Sequence, residues 1–245
     1  MARAAVARRT IRDDIPIARR SRPARRRGPG GGLLVACLMV LAGSAVTVLL
    51  GPQILARFNP PVSLEGIRER PAADGRLLGH FPYPEAIDEH LIETQEGVQL
   101  HVEAAEAFRA MQLAAAADGI DLRLLSGFRS HQLQESIFFD IKSERNQTAA
   151  ERAKVSAPPG YSEHSTGYAL DLVDGSASET ALSVEFEQTP AFRWLQDHAA
   201  SYHFTLSFPM ENQQGVSYEP WHWRFEGSAE ALRQFEGARQ LSTRS

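Results

Sequence analysis

The chain has 245 residues, a size that suits one ordinary domain with additional segments. Its 43% hydrophobic content supports a packed core, and its single cysteine, Cys37, excludes a disulfide framework and leaves His and carboxylate side chains as the metal ligands on offer. The net charge of −4 conceals an asymmetry: residues 1–32 hold ten Arg and two Asp, whereas the remainder holds 16 basic and 28 acidic residues, an acidic balance that argues against a nucleic-acid partner.

Residues 1–32 are rich in Arg, Pro and Gly and lack apolar periodicity, which reads as a basic tail without a fold of its own. The pair Arg8-Arg9 stands too far from the next apolar stretch for a twin-arginine signal. Leu33 to Leu50 is an uncharged apolar run, extended by GPQILA to Ala56. A run of about 20 such residues can cross a bilayer as a helix. Ten Arg before it, against Arg57 just after, predict an N-terminus inside and a following domain outside. A cleaved signal peptide, with small residues at Gly43 to Ala45, is the alternative. Leu34-Val35-Ala36-Cys37 resembles a lipoprotein box, but there the apolar segment should precede the cysteine. Residues 57–76 are polar and contain Pro, which reads as a spacer; residues 77–241 remain for the folded domain.

Within that domain, Ala104, Phe108, Met111 and Ala115 recur at helical spacing and Gly119 suits the helix stop. Asp121 to Ser126 reads as a strand ending at Gly127. Ser130 can then cap a helix with Leu133, Ile137 and Ile141 on one face. Arg129 falls at the strand-to-helix turn, a frequent position for a functional side chain. Thr148 and Glu151 have the spacing of a capping box. YALDLV (Tyr168 to Val173) reads as a buried strand that places Asp171 on one face with Ala169 and Val173. Thr189-Pro190 opens a helix buried through Ala191, Trp194 and Leu195. His203 to Phe208 is a further strand, and Ser228 caps the last helix. Strands and helices mix without regular βαβ alternation, so the predicted class is α+β with a small antiparallel sheet.

The chemistry concentrates in two stretches. SEHSTGYALD (Ser162 to Asp171) carries His164 and Asp171, and a carboxylate among small apolar neighbours is costly unless paired or metal-bound. YEPWHWRF (Tyr218 to Phe225) carries Glu219 and His222. Catalytic zinc typically takes three protein ligands and leaves one open position. His164, Asp171 and His222 would supply the three, with Glu219 as the free carboxylate acting as general base. The HExxH helix motif is absent. Pro220 holds Glu219 extended, which predicts a bend at Glu219-Pro220 and a strand beginning near Trp221.

The patterns S-x-H-x-x-G-x-A-x-D and E-P-W-H-W-R, with SGFRSHQLQ (Ser126 to Gln134) and GHFPYPEA (Gly79 to Ala86), resemble the VanY-type D-alanyl-D-alanine carboxypeptidases. These are zinc peptidases of bacterial cell-wall metabolism, related in fold to the zinc-containing signalling domain of hedgehog proteins. The resemblance implies a Zn2+ site at His164, Asp171 and His222, and hydrolysis of the terminal D-Ala-D-Ala bond of peptidoglycan stem peptides. It implies that Arg129 contacts the substrate's carbonyl or carboxylate near the metal, and that Gln134 and Ser162 bind the peptide. A peptidoglycan endopeptidase, an L,D-carboxypeptidase and a non-catalytic zinc module that binds cell-wall peptide are the other readings. With the N-terminal helix as anchor, the expected location is the bacterial cytoplasmic membrane, single-pass, with the domain on its outer side.

Overall fold

The computed structural model describes residue 64, residues 66–95 and residues 97–243. The expected basic tail and membrane helix lie outside the described residues. Among the described residues no helix is long and apolar enough to cross a membrane.

Two antiparallel sheets frame the molecule. A hairpin pairs β1 (Leu91–Gln95) with β2 (Val98–His101). The second sheet has four strands in the order β3-β4-β6-β5: β3 (Leu122–Ser126), β4 (Ala169–Asp174), β6 (His222–Phe225) and β5 (Phe204–Leu206). All three pairings in it are antiparallel, as the α+β reading expects. Six helices accompany the sheets: α1 (Val102–Ala117), α2 (His131–Glu144), α3 (Ala149–Ala153), α4 (Pro190–His198), α5 (Ala229–Gln234) and α6 (Glu236–Ser242).

Alternation along the central strands divides the sheet into an apolar face and a polar one. Leu170 and Leu172 of β4, and Trp223 and Phe225 of β6, join one core with Leu122 and Leu124 of β3. Ala104, Phe108, Met111 and Ala115 of α1 and Ala191, Trp194 and Leu195 of α4 complete that core, as their spacing predicts. Asp171, His222 and Arg224 occupy the other face, and all are buried. Register puts Asp171 directly opposite His222, and Ala169 opposite Arg224. A β-bulge between Leu124 and Ser126 inserts one residue into β3, so that Ser126 rather than Leu125 pairs with Asp171. A bulge of this kind re-aims the side chains beyond it. Here it turns the Ser126 hydroxyl towards Asp171.

Caps set the helix boundaries. Ser130, Thr189 and Ser228 accept hydrogen bonds from Leu133, Phe192 and Ala231 respectively, and Thr148 and Glu151 form the expected capping box. Helix α2 departs from the sequence reading. Its buried residues are Gln134 and Phe138, whereas Leu133 is 49% exposed. The Gln134 amide is fully buried because protein groups satisfy it: its nitrogen donates to the Ala157 carbonyl at 2.8 Å and to Ser156 Oγ at 3.2 Å. A fully paired amide can outcompete an aliphatic side chain for an interior position.

Candidate metal and catalytic site

Two close backbone approaches bring the site together. Gly127 sits where an added Cβ would lie 2.3 Å from the Gln99 carbonyl, so the β3–α2 loop can pack on the hairpin only without a side chain there. Gly167 adopts a left-handed φ of 73° after the 3-10 turn Glu163–Thr166, and a Cβ there would meet Leu91 and the His101 backbone. The turn thereby carries His164 beneath the loop that holds Arg129: the Arg129 N–H donates to the His164 carbonyl at 3.2 Å.

His164, Asp171 and His222 are all buried, and their ligand atoms lie within 4.8 Å of one another. The two imidazoles are presented by different means. His164 Nδ1 donates to the Gly127 carbonyl at 2.7 Å. A carbonyl only accepts, so the proton sits on Nδ1 and the lone pair on Nε2. That Nε2 is buried and makes no hydrogen bond; its nearest charged neighbour is Asp171 Oδ2 at 3.3 Å. His222 turns Nδ1 towards Asp171 Oδ1 and Nε2 towards Glu163 Oε2, both at 3.0 Å. Nδ1 is therefore the nitrogen on the side of the other donors.

Asp171 is held in turn. Its Oδ2 accepts from Ser126 Oγ at 2.5 Å and from Arg129 Nη2 at 3.0 Å. Arg129 Nη1 donates to Gln134 Oε1 at 3.3 Å, so the buried glutamine braces the guanidinium. Ser162 is buried at the start of the 3-10 turn, where its carbonyl accepts the Ser165 N–H. Glu219 precedes β6 at the expected bend, with turn residues at Pro220 and Trp221. Its backbone is fixed on both sides: its N–H donates to the Phe208 carbonyl, and its carbonyl accepts the His222 N–H.

The electrostatics separate the carboxylates. Burial pushes the Glu219 carboxyl up to about 7, against the opposing pull of His222. Asp171 is also penalised by burial, but His164 and His222 hold its carboxyl well below the usual range. Burial lowers His164 to about 4. Burial would lower His222 too, yet hydrogen bonds to Asp171 and Glu163 raise it to about 10. Two buried carboxylates around one imidazole thus demand positive charge. The donor set of two imidazole nitrogens and one carboxylate suits zinc, and the orphaned Nε2 of His164 gives such an ion a ready ligand. The residues fit the metal.

Glu163 escaped the sequence reading, although it sits in the quoted motif. It is 3% exposed and accepts from four groups: His222, Ser207 Oγ at 2.5 Å, Arg224 Nη1 at 3.0 Å and Tyr83 OH at 3.4 Å. Beside a histidine in a loop it reads as a surface carboxylate, and only buried Arg224 on β6 hinted at a buried partner. Two clefts open on the surface near these segments. One lies between Tyr83, His131 and Tyr161, the other between Leu206, Met210 and Tyr218.

The VanY family model, described as D-alanyl-D-alanine carboxypeptidase, matches residues 97–228, just over half of the chain. The chain belongs to the VanY family. YodJ of Bacillus subtilis is 37% identical over 132 residues, covering 53% of this chain and 47% of that protein. The curated VanY-family relatives are matched over 38% to 57% of their own length, so this chain spans about half of them. Among solved structures, VanYB in complex with D-alanine-D-alanine is 25% identical with a TM-score of 0.53, covering 67% of this chain and 91% of that one. The LdcB LD-carboxypeptidase is 28% identical with a TM-score of 0.50, covering 71% and 77%. The matched VanY segment contains His164, Asp171, Glu219 and His222.

Proposed function

We propose that the protein is a zinc-dependent carboxypeptidase that removes the terminal D-Ala from peptidoglycan stem peptides. The observation that carries this reading is the buried His164, Asp171 and His222 cluster, with Glu219 fixed one turn ahead of His222, in a VanY-family chain. His164 Nε2, Asp171 and His222 Nδ1 would hold the ion. When bound, zinc acidifies a water molecule and polarises the scissile carbonyl. Glu219 takes the proton from the attacking water and delivers it to the leaving amine nitrogen. The elevated affinity of its carboxyl for a proton suits both steps. Arg129 offers a planar fork to the substrate's carboxylate or developing oxyanion, from a side chain still 21% exposed. Gln134 acts through Arg129, and Ser162 borders the peptide path.

The likeness to LdcB favours L,D-carboxypeptidase activity as the second reading. An intact Glu219 and Arg129 argue against a purely binding module. The deciding experiment is incubation of the chain with defined muropeptides, with products read by mass. Release of D-Ala from pentapeptide stems is expected. Release only from tetrapeptide stems would support the L,D reading, and cleavage only of cross-linked dimers an endopeptidase. Arg129→Lys keeps the charge and loses the fork, so substrate affinity or turnover is expected to fall with zinc content unchanged. Unchanged kinetics would remove Arg129 from the site.

The arginine asymmetry around Leu33 to Leu50 further suggests that residues 33–56 anchor the protein in the bacterial cytoplasmic membrane, with the zinc domain outside. A C-terminal reporter enzyme that works only on the outer side is expected to be active. Activity of a cytoplasm-only reporter instead would overturn the topology.

A further inference from the structure

Glu163 has no part in the chemistry above, yet it is the most heavily bonded side chain beside the metal ligands. We propose that Glu163 is a positioning residue that fixes His222 in the tautomer and ring orientation needed to present Nδ1 to the metal; the inference rests on the zinc reading of the site. His222 Nε2 stands 3.0 Å from Glu163 Oε2. A carboxylate can only accept, so the bond requires a proton on Nε2 and frees Nδ1 to act as the ligand. Glu163 cannot rotate away. Its Oε1 is gripped by Arg224 and Tyr83, and its Oε2 also accepts from Ser207. Arg224 is itself buried, paired with Glu226 at 2.8 Å and stacked 5.2 Å over the Phe235 ring. The chain Phe235–Arg224–Glu163–His222 thus ties the ligand to the main core. His164 receives the corresponding constraint from the Gly127 carbonyl, so the two imidazoles are oriented by two independent devices.

Glu163→Gln tests this directly. A glutamine has one acceptor oxygen, and the cationic Arg224 competes for it most strongly. The amide NH2 then faces His222 Nε2, donor against donor, and favours the tautomer with its proton on Nδ1. Zinc affinity, measured by competition with a chromophoric chelator, is expected to fall by about 10- to 100-fold. Nitrogen-15 spectra of labelled histidine in the metal-free protein are expected to show the His222 ring nitrogens shifted in the variant, with His164 unchanged. Ser207→Ala removes only the hydroxyl that pins Oε2, and is expected to weaken zinc binding in the same direction by less. It carries the test if Glu163→Gln fails to fold by circular dichroism. Wild-type zinc affinity with unaltered His222 signals, in Glu163→Gln or failing that in Ser207→Ala, would overturn the proposal. A wild-type chain that binds no zinc would instead overturn the metal reading on which it rests.

Discussion

Glu219→Gln is expected to lower turnover by roughly 10²- to 10⁴-fold while zinc and substrate still bind. The substitution preserves the size of the side chain and one hydrogen-bonding oxygen. It removes the ability to accept a proton near neutral pH. Glu219 is suited to that task by its surroundings: burial brings its carboxyl to about 7, whereas Asp171, on the same sheet face, is held ionised by its histidines. Two carboxylates in one site with affinities pushed apart in this way can divide the roles of proton carrier and ligand. Because Glu219 is not needed to hold the ion, metal content should survive the change. The measurement is steady-state release of D-Ala from a peptide ending in D-Ala-D-Ala, alongside elemental analysis. Turnover equal to wild type would remove Glu219 from the mechanism.

His164→Ala should act earlier, on the ion itself. His164 supplies the one ligand nitrogen with no hydrogen-bond partner in the protein, so no other contact is lost at that atom. Chain purified without chelator is expected to carry zinc, and the variant to lose it on dialysis together with all measurable activity. Loss of the imidazole also vacates the Gly127 carbonyl, so a fold control is required. A variant that retained a full zinc complement would show that the ion binds elsewhere.

Residue chemistry made the centre of this site legible before any coordinates. His164, Asp171, Glu219 and His222 are few in type and sit in short motifs, and the strand through Asp171 follows from its apolar run. The layer behind them was hidden. Ser126 reaches Asp171 only because a bulge shifts β3 by one residue, and a bulge leaves no mark in a pattern of alternation. Glu163 looked solvated because its partners Tyr83, Ser207 and Arg224 lie 80, 44 and 61 residues away. On α2 the apolar pattern of Leu133, Ile137 and Ile141 misled, since the interior position belongs to an amide satisfied by groups 22 and 23 residues on. The hairpin β1–β2 escaped for a different reason: its strands are short and mostly polar, with burial confined to Leu91, Leu100 and His101.

The pairing of Asp171 with His222 has a mechanical consequence. The two residues are 51 apart in sequence and meet only when β4 and β6 are zipped together. An ion held by both would act as a reversible staple across that span. In the chain-entropy treatment used for cross-links, closing a loop of this length restricts the unfolded ensemble by up to about 4 kcal/mol. A chain whose one cysteine can form no internal disulfide has no covalent equivalent. Chelation would then do more than silence a reaction: it would cut the one stitch between the central strands, and survival outside the cell would depend on the supply of the ion as well as on the packing of the core.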